Sequence, residues 1–233
     1  MKIITAHSAA SAWINATNTI LKEGTKYGDL QEILNMVLEI ECDSPNPISA
    51  FDSEFRNIFG DERIDYAKSV SFVQPSPSPL VPDDLMYEQN KSGVKWTETY
   101  WGRLISWGGT FNQIEQVIKR LKEHKNAKTI AAAVYDPKSD GRKTMAGMPC
   151  LLSLDFKPRD GELYMTAFFR SQAVSKSGYA DYSALIELGE FLCEQADLKL
   201  KVVTNIAASG HVRRQNNERA NSLKLLERLG CVG

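Results

Sequence analysis

Two short segments carry the residue types from which an active site could be built. Cys150 follows Met148-Pro149, and Arg170-Ser171 follows the run 162–169. A cysteine is nucleophilic as its thiolate, and a nearby guanidinium favours that form. An Arg-Ser pair also suits an anion such as phosphate, because a guanidinium can bind two phosphate oxygens at once. The alternative for Cys150 is structural, since free cysteines are commonly small buried residues.

The chain between these segments predicts a hairpin that would bring them together. Strand-forming residues occupy 151–156 and 162–169, and Asp160-Gly161 between them is a pair typical of tight hairpin turns. Such a hairpin places Cys150 at the start of one strand and Arg170 at the end of the next. We therefore predict that the thiol and the guanidinium lie close to each other.

The rest of the chain predicts helices and strands in an irregular order. Apolar residues recur at helical spacing in 8–23, 53–59, 111–124, 182–196 and 216–229, whereas 30–40, 129–135 and 198–206 have strand character. The proline-rich stretch 74–83 excludes regular structure locally. The irregular order predicts an α+β fold. We expect residues 1–233 to form one domain, because the part before the proline-rich stretch is too small for a good core of its own.

Composition argues against several classes of protein. Lys and Arg number 28 and Asp and Glu 29, so the formal net charge is −1. This near-neutral charge argues against a dedicated binder of polymeric nucleic acid or of a membrane surface. No apolar run approaches the roughly 18 residues of a membrane span, and the N-terminus lacks the apolar core of a signal peptide. The four cysteines and three histidines show no metal-site spacing. We expect a cytoplasmic protein with reduced thiols and no metal.

Five segments, in this order, resemble the thymidylate synthase superfamily, which includes the pyrimidine nucleotide hydroxymethylases. The resemblance covers roughly residues 95–216 well and the N-terminal part loosely. Pro149-Cys150, followed by a strand with Asp155 and Phe156, resembles the family's catalytic segment, and Arg170-Ser171 resembles its phosphate grip. The remaining segments are Trp101-Gly102-Arg103 with the helix that contains Gln113 to Ile118, the basic residue Lys128, and Ser209-Gly210-His211-Val212.

The resemblance implies an architecture and a set of ligands. It implies a mixed β-sheet covered by helices and a homodimer joined through a sheet face, in which Lys128 reaches the partner's phosphate site. It also implies a pyrimidine nucleoside monophosphate as substrate and 5,10-methylenetetrahydrofolate as cofactor. His211 would hold the sugar hydroxyl, and Tyr100 and Trp101 would line the substrate site. The alternatives are that Lys128 and His211 are ordinary surface residues and that Tyr100 and Trp101 are aromatic residues of the core.

The chemistry of such a reaction calls for the same residue types. The C5 carbon of a pyrimidine is a poor nucleophile, and thiolate addition to C6 makes it an enolate-like carbon that can attack a one-carbon electrophile. Cys150 would be that thiolate, and Arg170 would favour it. A carboxylate must organise water and move protons, and Glu54 resembles the family's helix-borne catalytic glutamate. A solvated glutamate on a helix surface is the alternative.

Asp181 indicates which base is bound. It lies eleven residues after Arg170, where the synthases have an asparagine that hydrogen-bonds the uracil edge. A carboxylate accepts from cytosine N4–H₂ and, when protonated, donates to N3. Leaving a polar edge unpaired costs about 1–3 kcal/mol, which is enough for roughly ten- to a hundredfold discrimination. Asp181 therefore favours cytosine. The alternative is that it caps a helix that begins at Tyr182.

Other departures limit what can be transferred from the family. The aspartate expected soon after Arg-Ser is absent, because Gln172-Ala173 follows. Arg213 stands where a sugar-binding tyrosine is expected, which implies a changed sugar pocket and leaves ribose and deoxyribose open. The sequence ends at Gly233 without the family's closing segment. Loss of such a seal would favour capture of water over hydride transfer, and so a hydroxymethyl over a methyl product.

Taken together, the sequence predicts a cytidylate (CMP or dCMP) 5-hydroxymethyltransferase that uses 5,10-methylenetetrahydrofolate. Methylation of dUMP or UMP by a thymidylate synthase-like enzyme is the nearest alternative. A catalytically idle relative that only binds nucleotides is the alternative from another class. Cys150 beside Arg170 favours an enzyme, whereas Ala173 in place of the family's aspartate favours loss of activity.

Overall fold

A computed structural model describes residues 1–42, 50–60, 99–141, 148–215 and 217–231 of the chain. The proline-rich stretch 74–83 and Trp96 lie outside these ranges. Within them, no helix is both long enough and apolar enough to cross a lipid bilayer.

The described strands form one mixed eight-stranded sheet. Its main order is β1-β3-β8-β6-β5-β4, with β2 paired to β3 and β7 paired to β8. β1 and β3 are parallel, as are β6 and β8, and the other neighbours on the main path are antiparallel. The strands are β1 (Lys2–Ala6), β2 (Thr25–Tyr27), β3 (Leu30–Glu41), β4 (Ile130–Ala133), β5 (Leu151–Arg159), β6 (Glu162–Phe169), β7 (Gln172–Ala173) and β8 (Lys199–Arg213).

Helices pack against this sheet, so the α+β architecture with a mixed sheet covered by helices is confirmed. A π-helical turn, Val174–Gly178, leads directly into the longest helix. The α-helices are α1 (Ala9–Glu23), α2 (Phe51–Phe59), α3 (Tyr100–Ile105), α4 (Gln113–Glu123), α5 (Pro137–Asp140), α6 (Tyr179–Ala196) and α7 (Glu218–Arg228).

The alternation of side chains along the strands separates a buried face from an open one. Residues opposite each other in the register, such as Leu38, Asn205 and Ala167, are fully buried. The next register row, one residue along, is less buried, and Phe168 in that row is exposed. Because strand side chains alternate between faces, one face of the sheet carries the core and the other remains open.

An aromatic cluster fixes α2 against α1. Phe51, Phe55 and Phe59 recur at helical spacing and are buried. Their ring centroids lie 5.5, 5.7 and 6.1 Å from that of Trp13, in edge-to-face arrangements that aromatic pairs favour. Tyr179, the first residue of α6, packs against the same group at a tilt, with its centroid 4.7 Å from that of Phe51. The start of α6 is therefore held by packing from α2.

Most predicted elements are confirmed with small shifts of their ends. Ser8 caps α1 through a reciprocal capping box with Ser11, which satisfies backbone donors at the helix start. The Asp160-Gly161 turn is also confirmed, and both residues have positive φ, 49° and 83°, as a tight hairpin turn of the type I′ family requires.

Two details differ from the sequence predictions. β8 runs to Arg213, so His211 lies within a strand and not in a loop. α6 begins at Tyr179 with Gly178 at its N-cap, so the alternative of Asp181 as the cap of a helix starting at Tyr182 is wrong. The π-helical turn moves the helix start upstream, where the chain leaves β7.

Candidate active site

The β5–β6 hairpin brings Arg170 to the segment that carries Cys150. The Arg170 backbone N–H donates to the Cys150 carbonyl at 2.9 Å. Its guanidinium donates through Nε to the Pro149 carbonyl and through Nη2 to the Met148 carbonyl, each at 2.9 Å. Arg170 thus braces the backbone that presents the thiol. A guanidinium has five N–H donors, and the described residues accept hydrogen bonds from Nε and Nη2, which leaves other donors for an anion.

Tyr100, the first residue of α3, lies against the same backbone from the other side. Its hydroxyl oxygen accepts hydrogen bonds from the N–H groups of Cys150 at 3.2 Å and Leu151 at 3.3 Å. Burial, together with the negative charges of Asp181 and Cys150, raises the pKa of Tyr100 above its usual range. The phenol therefore stays protonated and can donate to the sulfur, a contact that lowers the pKa of the Cys150 thiol.

The Cys150 thiol is half-buried, and opposing effects act on its pKa. Burial is the largest and raises the pKa, the Arg170 guanidinium lowers it, and the Asp181 carboxylate raises it. The net direction is upward, so the nearby cation does not by itself produce a thiolate in the free protein. This differs from the simple expectation that Arg170 activates Cys150, because burial outweighs the cation.

Asp181 lies in the first turn of α6 and is only 4% exposed. Its charge acts on both Tyr100 and Cys150, so the carboxylate faces the thiol's surroundings. Gln172 Nε2 donates to Asp181 Oδ2 at 3.1 Å. Gln172 also bonds Asn205 and Tyr182, two side chains that are fully buried.

The sequence reasoning did not identify Gln172, Asn205 and Tyr182 as site residues. A signal for Asn205 was present, because it is a polar residue that alternates with the apolar residues Val203 and Ala207 on the buried side of β8. Gln172 was noted only as a departure from the family pattern. No pattern on the chain links Gln172 with Asn205, since they meet only through a side-chain hydrogen bond between β7 and β8.

His211 lies next to the Arg-Ser segment, because β7 pairs with β8 and sets Ala173 opposite His211. The imidazole is buried, and its Nδ1 has no hydrogen-bond partner among the described residues. Burial, and secondarily the charge of Arg213, lowers the pKa of His211, so the ring is neutral at neutral pH. A buried, unpaired ring nitrogen is costly without a partner, which suits a ligand hydroxyl.

The other predicted site residues lie further from the thiol or point elsewhere. Glu54 of α2 accepts from Arg228 of α7 at 2.7 Å, and no hydrogen bond or ion pair joins it to Cys150 within the described ranges. Trp101 is buried in the core beside Tyr100. Arg213 is exposed at the end of β8.

Lys128 is exposed just before β4. Because Ile130 pairs with Phe156 in the antiparallel β4–β5 ladder, Lys128 lies near the far end of β5 from Cys150. At about 3.3 Å per residue the two positions are about 26 Å apart. Lys128 therefore cannot reach the thiol of its own chain.

A buried ion pair holds α3, and with it Tyr100, against the sheet. Arg103 donates to both carboxylate oxygens of Asp140 and, at 2.8 Å, to the Val134 carbonyl. Gln113 donates to the carbonyls of Arg103 and Ala133. These bonds join α3, α4, α5 and β4, and so fix the orientation of the hydroxyl that contacts the Cys150 backbone.

Comparison with known proteins gives one family. The model of the family described as thymidylate synthase matches residues 83–228, a range that contains every predicted site residue except Glu54. Proteins named "Putative thymidylate synthase" from Methanosarcina mazei and Methanococcoides burtonii are each 27% identical over 217 residues, which are 91% of this chain and 89% of theirs. One from Methanocaldococcus jannaschii is 32% identical over 104 residues, 43% of this chain and 47% of its own.

Proposed function

Because the chain belongs to the thymidylate synthase family, we propose that it is a cytidylate 5-hydroxymethyltransferase that acts on CMP or dCMP. The observation that carries this proposal is the buried carboxylate of Asp181, whose charge reaches both Cys150 and Tyr100. A carboxylate at this place accepts from the exocyclic N4–H₂ of cytosine, whereas uracil presents the acceptor O4 there. Cytosine in turn favours a hydroxymethyl product, as in the hydroxymethylases that the sequence resembles.

Cys150 is the nucleophile of the proposed reaction. Its Sγ bonds to C6 of the pyrimidine, the C5=C6 electron pair moves toward C5 and N3, and N3 takes the proton that Asp181 donates. C5 becomes nucleophilic, bonds to the one-carbon unit as that unit leaves its carrier, and loses its hydrogen as a proton. Water then adds to the new carbon, N3 returns its proton, and the C6–Sγ bond breaks, which releases the hydroxymethylated base and the Cys150 thiolate. The raised pKa of the thiol means that the reactive thiolate must form within the complex. Arg170, tied to the backbone on either side of Pro149, and the Tyr100 hydroxyl both stabilise the sulfur's negative charge.

The phosphate and sugar are assigned to the groups beside β7. Arg170 keeps donors for the phosphate, and Ser171 follows it directly. The unpaired Nδ1 of His211 is available to a sugar hydroxyl. Lys128 would supply a further cation from a second subunit. Glu54, which lies outside the range of the family match, would organise water for proton transfer.

The one-carbon donor is proposed to be 5,10-methylenetetrahydrofolate, the cofactor typical of the family. Cys150 and Tyr100 are both partly exposed, and they would lie beside a carrier that brings its carbon to the pyrimidine. When bound, the carrier supplies a carbon at the oxidation level of formaldehyde.

Release of tritium from the C5 position tests the proposal. We would incubate the protein with C5-tritiated CMP, dCMP, UMP and dUMP, with and without methylenetetrahydrofolate, and measure tritium in water. Release from a cytosine nucleotide that exceeds release from the uracil nucleotides supports the proposal. Release only from UMP or dUMP would replace it with uridylate methylation, and release from none would leave an idle nucleotide-binding relative. Cys150→Ala is the control, because it removes the nucleophile and should abolish release.

A further inference from the structure

Four buried polar side chains from three elements form a network behind Asp181. Gln172 of β7 is 1% exposed, Asp181 of α6 is 4% exposed, and Tyr182 of α6 and Asn205 of β8 are fully buried. Buried polar groups are costly unless they are hydrogen-bonded, and a satisfied network is rigid. The network therefore fixes the position of whatever group it presents to the active site.

The bonds of this network set the orientation of the Gln172 amide. Its Oε1 accepts from Asn205 Nδ2 at 3.0 Å and from the Tyr182 hydroxyl at 3.3 Å. Its Nε2 faces Asp181 Oδ2 at 3.1 Å and Asn205 Oδ1 at 3.4 Å. The reverse orientation would set Oε1 against the Asp181 carboxylate, acceptor against acceptor. Gln172 therefore presents a donor to Asp181.

We propose that Gln172 determines the base specificity of the site by holding the Asp181 side chain in place and fixing its Oδ2 as a hydrogen-bond acceptor. This inference rests on the proposed function, because it takes Asp181 as the group that contacts the pyrimidine edge. Gln172 does not touch the substrate in this account. It is a positioning residue that acts through Asp181.

The place of the proton on Asp181 decides whether it can distinguish the two bases. A carboxyl group that can carry its proton on either oxygen matches cytosine through N3 and N4–H₂ and matches uracil equally well through O4 and N3–H. The Gln172 donor makes Oδ2 an acceptor, so a proton on this carboxyl group lies on Oδ1. Oδ2 then accepts from N4–H₂ of cytosine and Oδ1–H donates to N3, whereas uracil needs the opposite arrangement, so the Gln172 donor favours cytosine.

Other ionisable groups face the same carboxylate. Tyr100 approaches from α3, Cys150 from the start of β5, and Tyr182 lies next to Asp181 on α6. The pKa values of both tyrosines are raised, chiefly by burial, so they are neutral and can act as donors. The Gln172 amide, in contrast to these groups, does not ionise. It therefore donates a hydrogen bond to Asp181 at every pH.

Substitution of Gln172 tests this inference through nucleotide binding, which needs no turnover. In a Cys150→Ser background, calorimetry would give Kd for CMP and UMP and for the deoxy pair. Gln172→Met keeps the length of the side chain without a donor, and Gln172→Glu sets oxygens against Asp181. We expect either change to reduce the cytosine preference, the ratio of Kd values, about tenfold. Tyr182→Phe removes one anchor of the amide and should shift the ratio in the same direction by less.

Gln31→Met is the matched control. Gln31 is also buried, and its Nε2 donates to the Leu21 and Gly24 carbonyls at the end of α1. The substitution should lower stability and leave the base ratio unchanged. A wild-type preference for cytosine that survives in folded Gln172→Met and Tyr182→Phe proteins would overturn the inference alone. A wild-type protein without that preference would overturn the proposed function and the inference together.

Discussion

At the scale of single residues, the Cys150 thiol is balanced between burial and charge. Burial raises its pKa and the Arg170 cation lowers it, and the Asp181 carboxylate adds to the effect of burial. The free protein therefore holds a protonated, weakly reactive thiol at neutral pH. In the proposed reaction, a bound nucleotide would have to change these surroundings before the thiolate forms.

The pH dependence of alkylation tests this balance. The rate of Cys150 modification by iodoacetamide, followed by peptide mass spectrometry, should have a midpoint above the ordinary cysteine pKa of about 8.5. Arg170→Gln removes a cation and should raise the midpoint, whereas Asp181→Asn removes an anion and should lower it. Cys150→Ser gives the background from the other half-buried cysteines, Cys42 and Cys231. A midpoint that falls in Arg170→Gln would contradict the described geometry.

Asp181→Asn also tests the assignment of the base. An amide donates to O4 and accepts from N3–H of uracil, whereas against cytosine it must flip. The ratio of kcat/KM for cytosine and uracil nucleotides should fall about tenfold or more, which corresponds to at least ~1.4 kcal/mol. The measurement is steady-state kinetics with both nucleotides on both proteins. An unchanged ratio would mean that Asp181 does not contact the base.

At the scale of elements, Glu54 could serve either in catalysis or in holding α2 against α7. Its ion pair with Arg228 joins α2 to α7, and both side chains are partly exposed. Exposed pairs contribute only about 0–1 kcal/mol. The buried attachment of α2 comes instead from Phe51, Phe55 and Phe59.

Two substitutions in this ion pair distinguish the roles. Glu54→Gln and Arg228→Gln should each change the free energy of unfolding by about 1 kcal/mol or less, measured by urea denaturation. If Glu54 moves protons, Glu54→Gln alone should lower kcat, by roughly a hundredfold or more. Equal and small effects of the two changes on kcat would assign Glu54 to the helix pair only.

The extent to which the elements could be predicted depends on how local their determinants are. The Asp160-Gly161 turn and the amphipathic helices follow from neighbouring residues, and so they were predicted correctly. β1, β2 and β7 were missed because each is short, and β1 and β7 are in addition defined by parallel pairing with a strand that is not their neighbour in the chain. The extension of β8 through Gly210 and His211 was missed for the same reason, since pairing on both sides outweighs low strand propensity.

The contacts of the candidate site that lie within the β5–β6 hairpin could be predicted from the sequence. The contacts between elements that are distant in the chain could not. Cys150 and Arg170 are joined by the turn between them, so their proximity followed from the sequence. Gln172 and Asn205 are 33 residues apart in the chain and meet through a side-chain hydrogen bond in the folded sheet. No local pattern contains that contact, and this is why the group that orients Asp181 emerged only from the structure.

At the scale of the whole molecule, the open face of the sheet bears on assembly. One register row of this face is apolar, and Ile3 and Phe168 in it are exposed. The other members of the row are Val37 and Ile206. An exposed apolar face on a sheet marks an interaction surface, and a homodimer through this face would agree with the family's usual state.

Phe168→Asp should weaken such a dimer. The charge would be buried without a partner, which is strongly unfavourable, and light scattering at micromolar concentration should show a shift toward monomer. Phe111→Asp is the control, because Phe111 is exposed in a loop away from this row. A wild-type monomer at these concentrations would contradict the assembly.

Subunit mixing tests the proposed exchange of Lys128. Inactive Cys150→Ala and Lys128→Ala proteins, when mixed, would form heterodimers in which one site keeps both native residues. Recovery of about a quarter of wild-type activity is expected for a twofold interface. No recovery in a mixture shown to exchange subunits would exclude Lys128 as a residue donated to the partner's site.

Covalent trapping tests the central claim most directly. A 5-fluorocytosine nucleotide cannot lose its C5 substituent as a proton, so the adduct with the thiol and the one-carbon carrier accumulates. We predict that intact-protein mass spectrometry, with 5-fluoro-CMP or 5-fluoro-dCMP and methylenetetrahydrofolate, will show a ternary adduct, and that peptide mapping will place it on Cys150. The adduct should be absent from Cys150→Ala. Trapping by 5-fluorouracil nucleotides alone, or an adduct on another cysteine, would contradict a cytidylate-modifying enzyme that uses Cys150.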